Sequence, residues 1–411
     1  MQLYKTAKTC RSCKSTNLTE LIHFGNTPLS DRLLKNPPVN GEEVKVPLTL
    51  VLCKECSLVQ ITEEVDPVEL FQRDYPYYSS VSKSLMAHFK KSAEDIIESK
   101  QLDESNFVVE AASNDGYMLQ HFHNNGVKVL GVDPAEGPAG VAEVKGIPTI
   151  VDFFGAELAE TIVDEHGKAD VVLGNNVLAH VPDLNGFVKG IKTLLKDDGV
   201  AVIEAPYLLD LIDHCEFDTI YHQHLCYFSV TALQDLFNRH GLYLNDVKHQ
   251  TIHGGTLRMF IETFKNPSDN LLVYTAKEKE LNVHSPECYE AFVKRVNTLK
   301  DELIQTLTQL KSEGKKIVGY GAAAKANTLM SYFGINSDHL DYIADLSQYK
   351  QGLYFSGNHL PIVPPDKLLE DQPDYALILA WNFSNEIMKQ QSEFKSKGGK
   401  FIVPIPEVKI V

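Results

Sequence analysis

The stretch NFVVEAASNDGYMLQ, residues 106–120, decides how the rest of the chain is read. An apolar run from Phe107 to Val109 ends on an acid, Glu110. Ser113, Asn114, Asp115 and Gly116 then supply the turn chemistry that closes a strand and opens a helix. Outward from this point, strand-length apolar runs alternate with helical stretches: VKVLGVD (127–133), IPTIVD (147–152), ADVVLGNN (169–176) and GVAVIEAP (199–206). That alternation predicts an α/β fold with a doubly wound, parallel sheet. The next two strands, LYLNDVKHQ (242–250) and TLRMFIETF (256–264), are joined only by TIHGG, so they form a hairpin that puts an antiparallel strand at the sheet edge. Charged helical sequence over 286–313 leads into a second βα series: KKIVGYG (315–321), LDYIADL (340–346), DYALILAW (374–381) and KFIVPIPEV (400–408). Upstream, short runs broken by Pro and Gly predict a small β-rich module. Three domains follow, over residues 1–68, 69–285 and 286–411.

Composition narrows the function. The chain has 411 residues, 23% of them charged, and a net charge of −16. An acidic surface argues against a nucleic-acid partner. No apolar run reaches the roughly 20 residues that span a bilayer, and the N-terminus lacks a signal-peptide core. A cytoplasmic monomer with no membrane partner is expected. Of the seven cysteines, four form two CxxC knuckles, Cys10/Cys13 and Cys53/Cys56. Two such knuckles complete a closed Cys₄ set, the usual form of structural zinc, which stabilises modules with small cores. A thioredoxin-like redox pair would need CxxC to open a helix after a strand, and the surrounding sequence does not offer one.

The strand ends carry the cofactor signal. Glu110, Ser113, Asn114 and Gly116 close the first, and Asp133 ends the second, placed to accept from both hydroxyls of a ribose. Asp152 and Phe153 follow the third, where Phe153 is suited to flank an adenine. Asn175, Asn176 and then His180 follow the fourth. Doubly wound sheets bind ligands at this carboxyl edge. The series resembles the class I S-adenosylmethionine (SAM) methyltransferases. No Asn/Asp-Pro-Pro-Tyr follows the fourth strand, which points away from methylation of amino groups on bases.

A dense polar run, EFDTIYHQHLCYFS (216–229), lies beyond the fifth strand, with Tyr221, His222, Gln223 and His224 at its centre. Histidine titrates where proton abstraction near neutral pH needs it. The His-x-His spacing also suits a metal, although no third ligand stands nearby. Taken with the knuckles, with His253-Gly254-Gly255-Thr256-Leu257-Arg258 and with Tyr320-Gly321-Ala322-Ala323-Ala324-Lys325-Ala326-Asn327-Thr328, this run resembles the bacterial nucleotide-deoxysugar C-methyltransferases over essentially the whole chain.

The resemblance implies an N-terminal zinc module, a central SAM domain and a C-terminal Rossmann-like domain that grips a nucleotide sugar, with thymidine diphosphate (TDP) as the expected carrier. It implies methyl transfer to carbon 3 or carbon 5 of a 4-keto-6-deoxyhexose, with His224 as the base. Tyr221, His180 and Tyr75 would line the sugar, and Ser80 would close over the cofactor. Further site candidates are His222, Gln223 and, toward the nucleotide sugar, Tyr77, His253, Arg258, Tyr320, Lys325, Asn327 and Asn382. Where the family often has a glutamate, this chain has Gln223. The segment Gly319-x-Gly321-x-x-Ala324 also fits a NAD site, with Asp345 at the next strand end, so a NAD-dependent sugar oxidoreductase stays open. So do oxygen methylation and an inactive methyltransferase carrying a zinc-ribbon interaction module.

Overall fold

The computed structural model describes residues 3–38, 43–71 and 78–411, so Tyr75 and Tyr77 lie outside the described residues. Strands β1 (Tyr4–Thr6), β2 (Leu18–Pro28), β3 (Lys45–Cys53), β4 (Val59–Ile61) and β5 (Glu63–Val65) build the N-terminal module. Its two CxxC knuckles repeat one turn. Lys14 N–H donates to the Cys10 carbonyl at 3.0 Å, and Ser57 N–H donates to the Cys53 carbonyl at 2.9 Å. Both Lys14 and Ser57 adopt positive φ, 65° and 62°. The turns bring all four sulfurs within 4.8 Å of one another, with Cys10–Cys56 at 3.4 Å and Cys13–Cys53 at 3.5 Å. Four thiolates on one tetrahedral zinc stand about 3.8 Å apart, so the set fits the ion as it stands.

The central sheet comprises β6 (Phe107–Ala111), β7 (Lys128–Val132), β8 (Thr149–Ile150), β9 (Ala169–Asn175), β10 (Leu195–Pro206), β12 (Tyr243–Gln250) and β13 (Thr256–Glu262). Its order is β12-β13-β10-β9-β6-β7-β8. The hairpin stands at the sheet edge, but the reversed strand is the inner one. β13 runs antiparallel to both β10 and β12, and β12 is outermost. Helix Asp269–Leu281 fastens this end through Glu278, whose buried carboxylate accepts from Val230 N–H and Thr231 N–H, both 2.7 Å, and from Tyr207 Oη at 2.9 Å.

The short strand β11 (Cys226–Tyr227) does not join the central sheet. It pairs antiparallel with β4 and completes the N-terminal sheet in the order β11-β4-β3-β2. The segment between β10 and β12 is thereby stitched into the N-terminal sheet. After the long helix Glu287–Ser312, β14 (Ile317–Tyr320), β15 (Ile343–Ala344), β16 (Ile362–Val363), β17 (Tyr375–Ile378), β18 (Lys400–Val403) and β19 (Lys409–Ile410) form a third sheet, β16-β15-β14-β17-β18-β19.

One apolar cluster crosses all three sheets. At its centre is the fully buried Phe217, stacked on Phe333 of the C-terminal helix Ala326–Phe333 at 4.9 Å and facing Phe24 of β2 at 6.4 Å. No helix among the described residues is long and apolar enough to cross a membrane.

Because β4 carries β11, loss of the metal should reach beyond the N-terminal module. A structural zinc contributes on the order of 10 kcal/mol. Cys53→Ser is expected to abolish bound zinc by elemental mass spectrometry and to lower the melting temperature steeply. A chain that keeps its full stability after metal removal would contradict this reading.

Candidate active site

A cavity of about 1120 Å³ opens where the three sheets meet. It exceeds the roughly 300–1,000 Å³ of a single small-molecule pocket, so there is room for two ligands side by side.

One end is built by strand termini of the central sheet. The turn after β6 places Ala112, Asn114 and Gly116 at positive φ (58°, 49° and 72°), and Asn176 after β9 does the same (53°). These departures let backbone amides turn toward the edge. Asp133 accepts from Asn114 N–H at 2.8 Å and Ala135 N–H at 2.9 Å, which fixes its carboxylate at the cavity wall. Burial raises its carboxyl against those two amides. Gly131 makes the approach possible, because a Cβ there would stand 2.4 Å from Ser113 Oγ. Asn114 Oδ1 accepts from Ser79 N–H at 2.9 Å, drawing the Ser79–Val81 turn over this end.

Asn114, Asp133, Asp152, Phe153, Asn175 and Asn176 line the cavity. Ser80, Glu110, Ser113 and Gly116 stand behind its wall. Ser80 Oγ bonds Asp115, and Gly116 packs on Ile147 and Ala142. Glu110 is fully buried. Asn175 Nδ2 donates to its Oε1 at 2.9 Å, and Tyr117 stands close enough to bond the carboxyl as well. Burial pushes the Glu110 carboxyl up to about 8.

The middle of the cavity holds a histidine–tyrosine group. His224 Nδ1 lies 2.8 Å from the Thr219 carbonyl and must donate to it, since a carbonyl only accepts. The neutral ring therefore carries its lone pair on Nε2, where the Tyr221 hydroxyl donates at 3.0 Å. His180 packs edge-on to His224 at 4.8 Å. Its Nδ1 donates to the Gln223 carbonyl at 2.6 Å, and burial lowers its pKa. Gln223 also lines the cavity. His222 does not: its Nε2 donates to the Pro47 carbonyl of β3 at 2.9 Å, and burial depresses its pKa.

The far end is lined by Glu216, Lys325 and Asn382. Lys325 Nζ sits 3.8 Å over the Trp381 ring, and burial lowers its pKa against the pull of Asp218 and Glu216. Burial pushes the Asp218 carboxyl up to about 6 and raises Glu216 likewise. The turn Ile252–Gly254 contains His253, whose side chain lies outside the described residues. Gly254 and the Gly255 that follows it have φ of 90° and 133°, where any side chain would be strained.

Three further sequence candidates are engaged elsewhere. Arg258 Nε pairs with Glu204 at 2.6 Å beside His88, beneath β10 and β13. Burial would raise Glu204, but His88 and Arg258 more than offset it and leave its carboxyl below the usual range. Asn327 Nδ2 donates to the Leu29 carbonyl and Ser356 Oγ, and Tyr320 Oη accepts from Gln391. Conversely, Asp31, Phe71 and Lys350 line the cavity without any sequence motif to announce them. Glu216 could have been found, since it opens the same polar run as Tyr221.

Residues 10–71 match a zinc binding domain model, 86–247 a methyltransferase domain and 251–406 a C-methyltransferase C-terminal domain. The C-methyltransferase NovU of Streptomyces niveus is 34% identical over 98% of this chain and 96% of its own length. The chain belongs to this C-methyltransferase family. It is a SAM-dependent C-methyltransferase with a zinc-binding N-terminal module.

The central part alone is similar to a ubiquinone biosynthesis O-methyltransferase of Acinetobacter baylyi, at 24% identity over 42% of this chain and 76% of that protein. Magnesium protoporphyrin IX methyltransferase from Synechocystis, solved with bound SAH, overlays 43% of this chain and 83% of its own, at 14% identity and a TM-score of 0.35. The C-terminal family model begins at residue 251 and so includes β13, a strand of the central sheet.

Glu110 gives this enzyme a pH signature. Its carboxyl titrates near 4.5 in the unfolded chain and about 8 when folded, so the folded state binds the extra proton between those values. Stability from this group is present at low pH and is lost as pH rises through 8. Glu110→Gln removes the titration while keeping an acceptor for Asn175. Its melting temperature should gain on the wild type between pH 5 and pH 8.5. Parallel pH curves would show that Glu110 is already ionised in the fold.

Proposed function

We propose that the enzyme methylates carbon 3, or carbon 5, of a TDP-linked 4-keto-6-deoxyhexose, with His224 as the base. The observation that carries this reading is the pairing of Tyr221 Oη with His224 Nε2 while Thr219 holds the other ring nitrogen.

SAM supplies an electrophilic methyl group. Asp133 would hold its ribose and Phe153 would flank its adenine, with Asn114 and Asn176 lining the same cavity. The carbonyl at carbon 4 acidifies the adjacent C–H. His224 Nε2 accepts that proton, and the C–H electron pair moves onto the carbonyl oxygen as an enolate. The Tyr221 hydroxyl, freed from Nε2, donates toward the developing oxyanion, where a preorganised donor is worth about 2.7–4 kcal/mol. The enolate would then collapse to the carbon-4 carbonyl as its carbon bonds the methyl group, while the S–CH₃ bond breaks and its electron pair stays on the sulfur of the departing S-adenosylhomocysteine. His180, neutral and anchored on the Gln223 carbonyl, packs against the base without competing for the proton.

The far end suits the rest of the substrate. Lys325 places its Nζ donor at the cavity wall, and Asn382 adds an amide. Asp345, the acid that a NAD ribose would claim, does not line the cavity, whereas Asp133 does. That placement supports a sugar-nucleotide reading over a NAD-dependent oxidoreductase.

Incubation of the wild type with a TDP-4-keto-6-deoxyhexose in D₂O should incorporate deuterium at the enolised carbon. With SAM, the product should carry a new carbon–methyl bond by NMR. His224→Ala should lower both rates by 10²–10⁴-fold. Oxygen-linked methyl without exchange, or NAD binding by calorimetry in place of SAM, would overturn the reading.

Asp133→Ala should weaken SAM binding roughly 10- to 100-fold, the effect of losing a hydrogen bond to a charged group. Calorimetric affinity equal to wild type would remove Asp133 from the cofactor site.

A further inference from the structure

Asp218, Thr219 and Ile220 are consecutive, and each is gripped from a different side. The buried Asp218 carboxylate accepts from Trp381 Nε1 at 2.7 Å. The Ile220 carbonyl accepts from the hydroxyl of Thr328, also buried, at 2.6 Å. Between them, the Thr219 carbonyl accepts from His224 Nδ1 at 2.8 Å. Thr328 lies on the helix Ala326–Phe333 and Trp381 in the turn Trp381–Phe383, both elements of the C-terminal βα series.

We propose that Thr328 and Trp381 are positioning residues for His224. By holding the chain on both sides of Thr219, they aim its carbonyl at Nδ1 and thereby decide which ring nitrogen carries the proton. The inference rests on the assignment of His224 as base.

The physical argument concerns tautomers. A neutral imidazole carries one N–H, and the hydrogen bond made by one nitrogen selects the state of the other. The bond to Thr219 favours the tautomer that keeps the lone pair on Nε2. A peptide carbonyl turned away from Nδ1 loses that bias, and the ring then populates the tautomer whose Nε2 already bears a proton and is no base.

The carbonyl of Thr219 is placed by torsions at Thr219 and Ile220, the residues between the two anchors. The same Trp381 ring carries Lys325 on its face, so the far end of the cavity and the base share one support. Neither Thr328 nor Trp381 needs to touch the reacting atoms for this effect.

The test uses the full zinc-loaded chain. Thr328→Val keeps the volume and removes the donor, Thr328→Ser keeps the donor, and Trp381→Phe keeps an aromatic face for Lys325 and removes the N–H. Melting curves and SAM titration establish which variants are folded. Thr328→Val and Trp381→Phe should each lower kcat at least tenfold and slow deuterium exchange into the keto-sugar by the same factor, with KM for SAM and for the sugar nucleotide within twofold of wild type. Thr328→Ser should stay within threefold of wild type.

Wild-type kcat in folded Thr328→Val and Trp381→Phe would overturn the proposal, as would a rise in sugar-nucleotide KM at constant kcat. The two contacts are independent, so a variant that does not fold leaves the other to decide. His224→Ala separates this inference from the one beneath it. If that variant stays active, the base assignment fails. If it is inactive while the positioning variants behave as wild type, only the positioning role fails.

Discussion

The segment 216–227 is held by the N-terminal sheet, by the C-terminal βα series and, through Leu225 N–H on the Ala179 carbonyl, by the turn after β9, and the active site depends on that shared grip. Phe217 fills the junction between Phe24 of the N-terminal sheet and Phe333 of the C-terminal helix. Five residues on, His222 reaches into the N-terminal sheet, and Cys226–Tyr227 becomes one of its strands. Asp218 and Ile220 are held from the C-terminal side. His224 Nδ1 hydrogen bonds inside this span. Nearby Tyr227 and Phe228 are buried as well, so the loop has little freedom of its own. Burial on three sides gives a non-helical segment the rigidity that positioning a proton acceptor requires.

Charge is managed by the same burial. His180 and His222 lie where desolvation disfavours the imidazolium, and each has a backbone carbonyl for its N–H. Desolvation also raises Glu110, Asp133, Glu216 and Asp218. Glu204, the buried carboxylate held below the usual range, has two nitrogen partners in His88 and Arg258.

Much of the fold was legible because its signals are local. Alternating strand and helix periods run over a few residues each, and the turn after β6 is written in Ser113–Gly116. The knuckles are legible for the same reason: four-residue turns built twice with the same hydrogen bond. Less legible was the hairpin. Two strands joined by TIHGG must be antiparallel to each other, but which one contacts β10 depends on sheet pairing across the fold, and the reversed β13 takes the inner place. The polar run 216–229 announced chemistry without orientation: Tyr221, His222, Gln223 and His224 follow one another in a turn, where no period dictates which side chain faces the cavity.

By itself, then, the sequence determined the α/β class, the four-cysteine set, the strand-end cluster and the polar run, since each is a pattern over neighbouring residues. Tertiary structure alone decided which histidine meets the cavity and which is buried against Pro47, and that Arg258 neutralises Glu204. It also decided that Thr328 and Trp381 grip the loop of the base. Those outcomes rest on hydrogen bonds between residues far apart in the chain, and a partner that arrives only through folding leaves no local mark on the residue it serves.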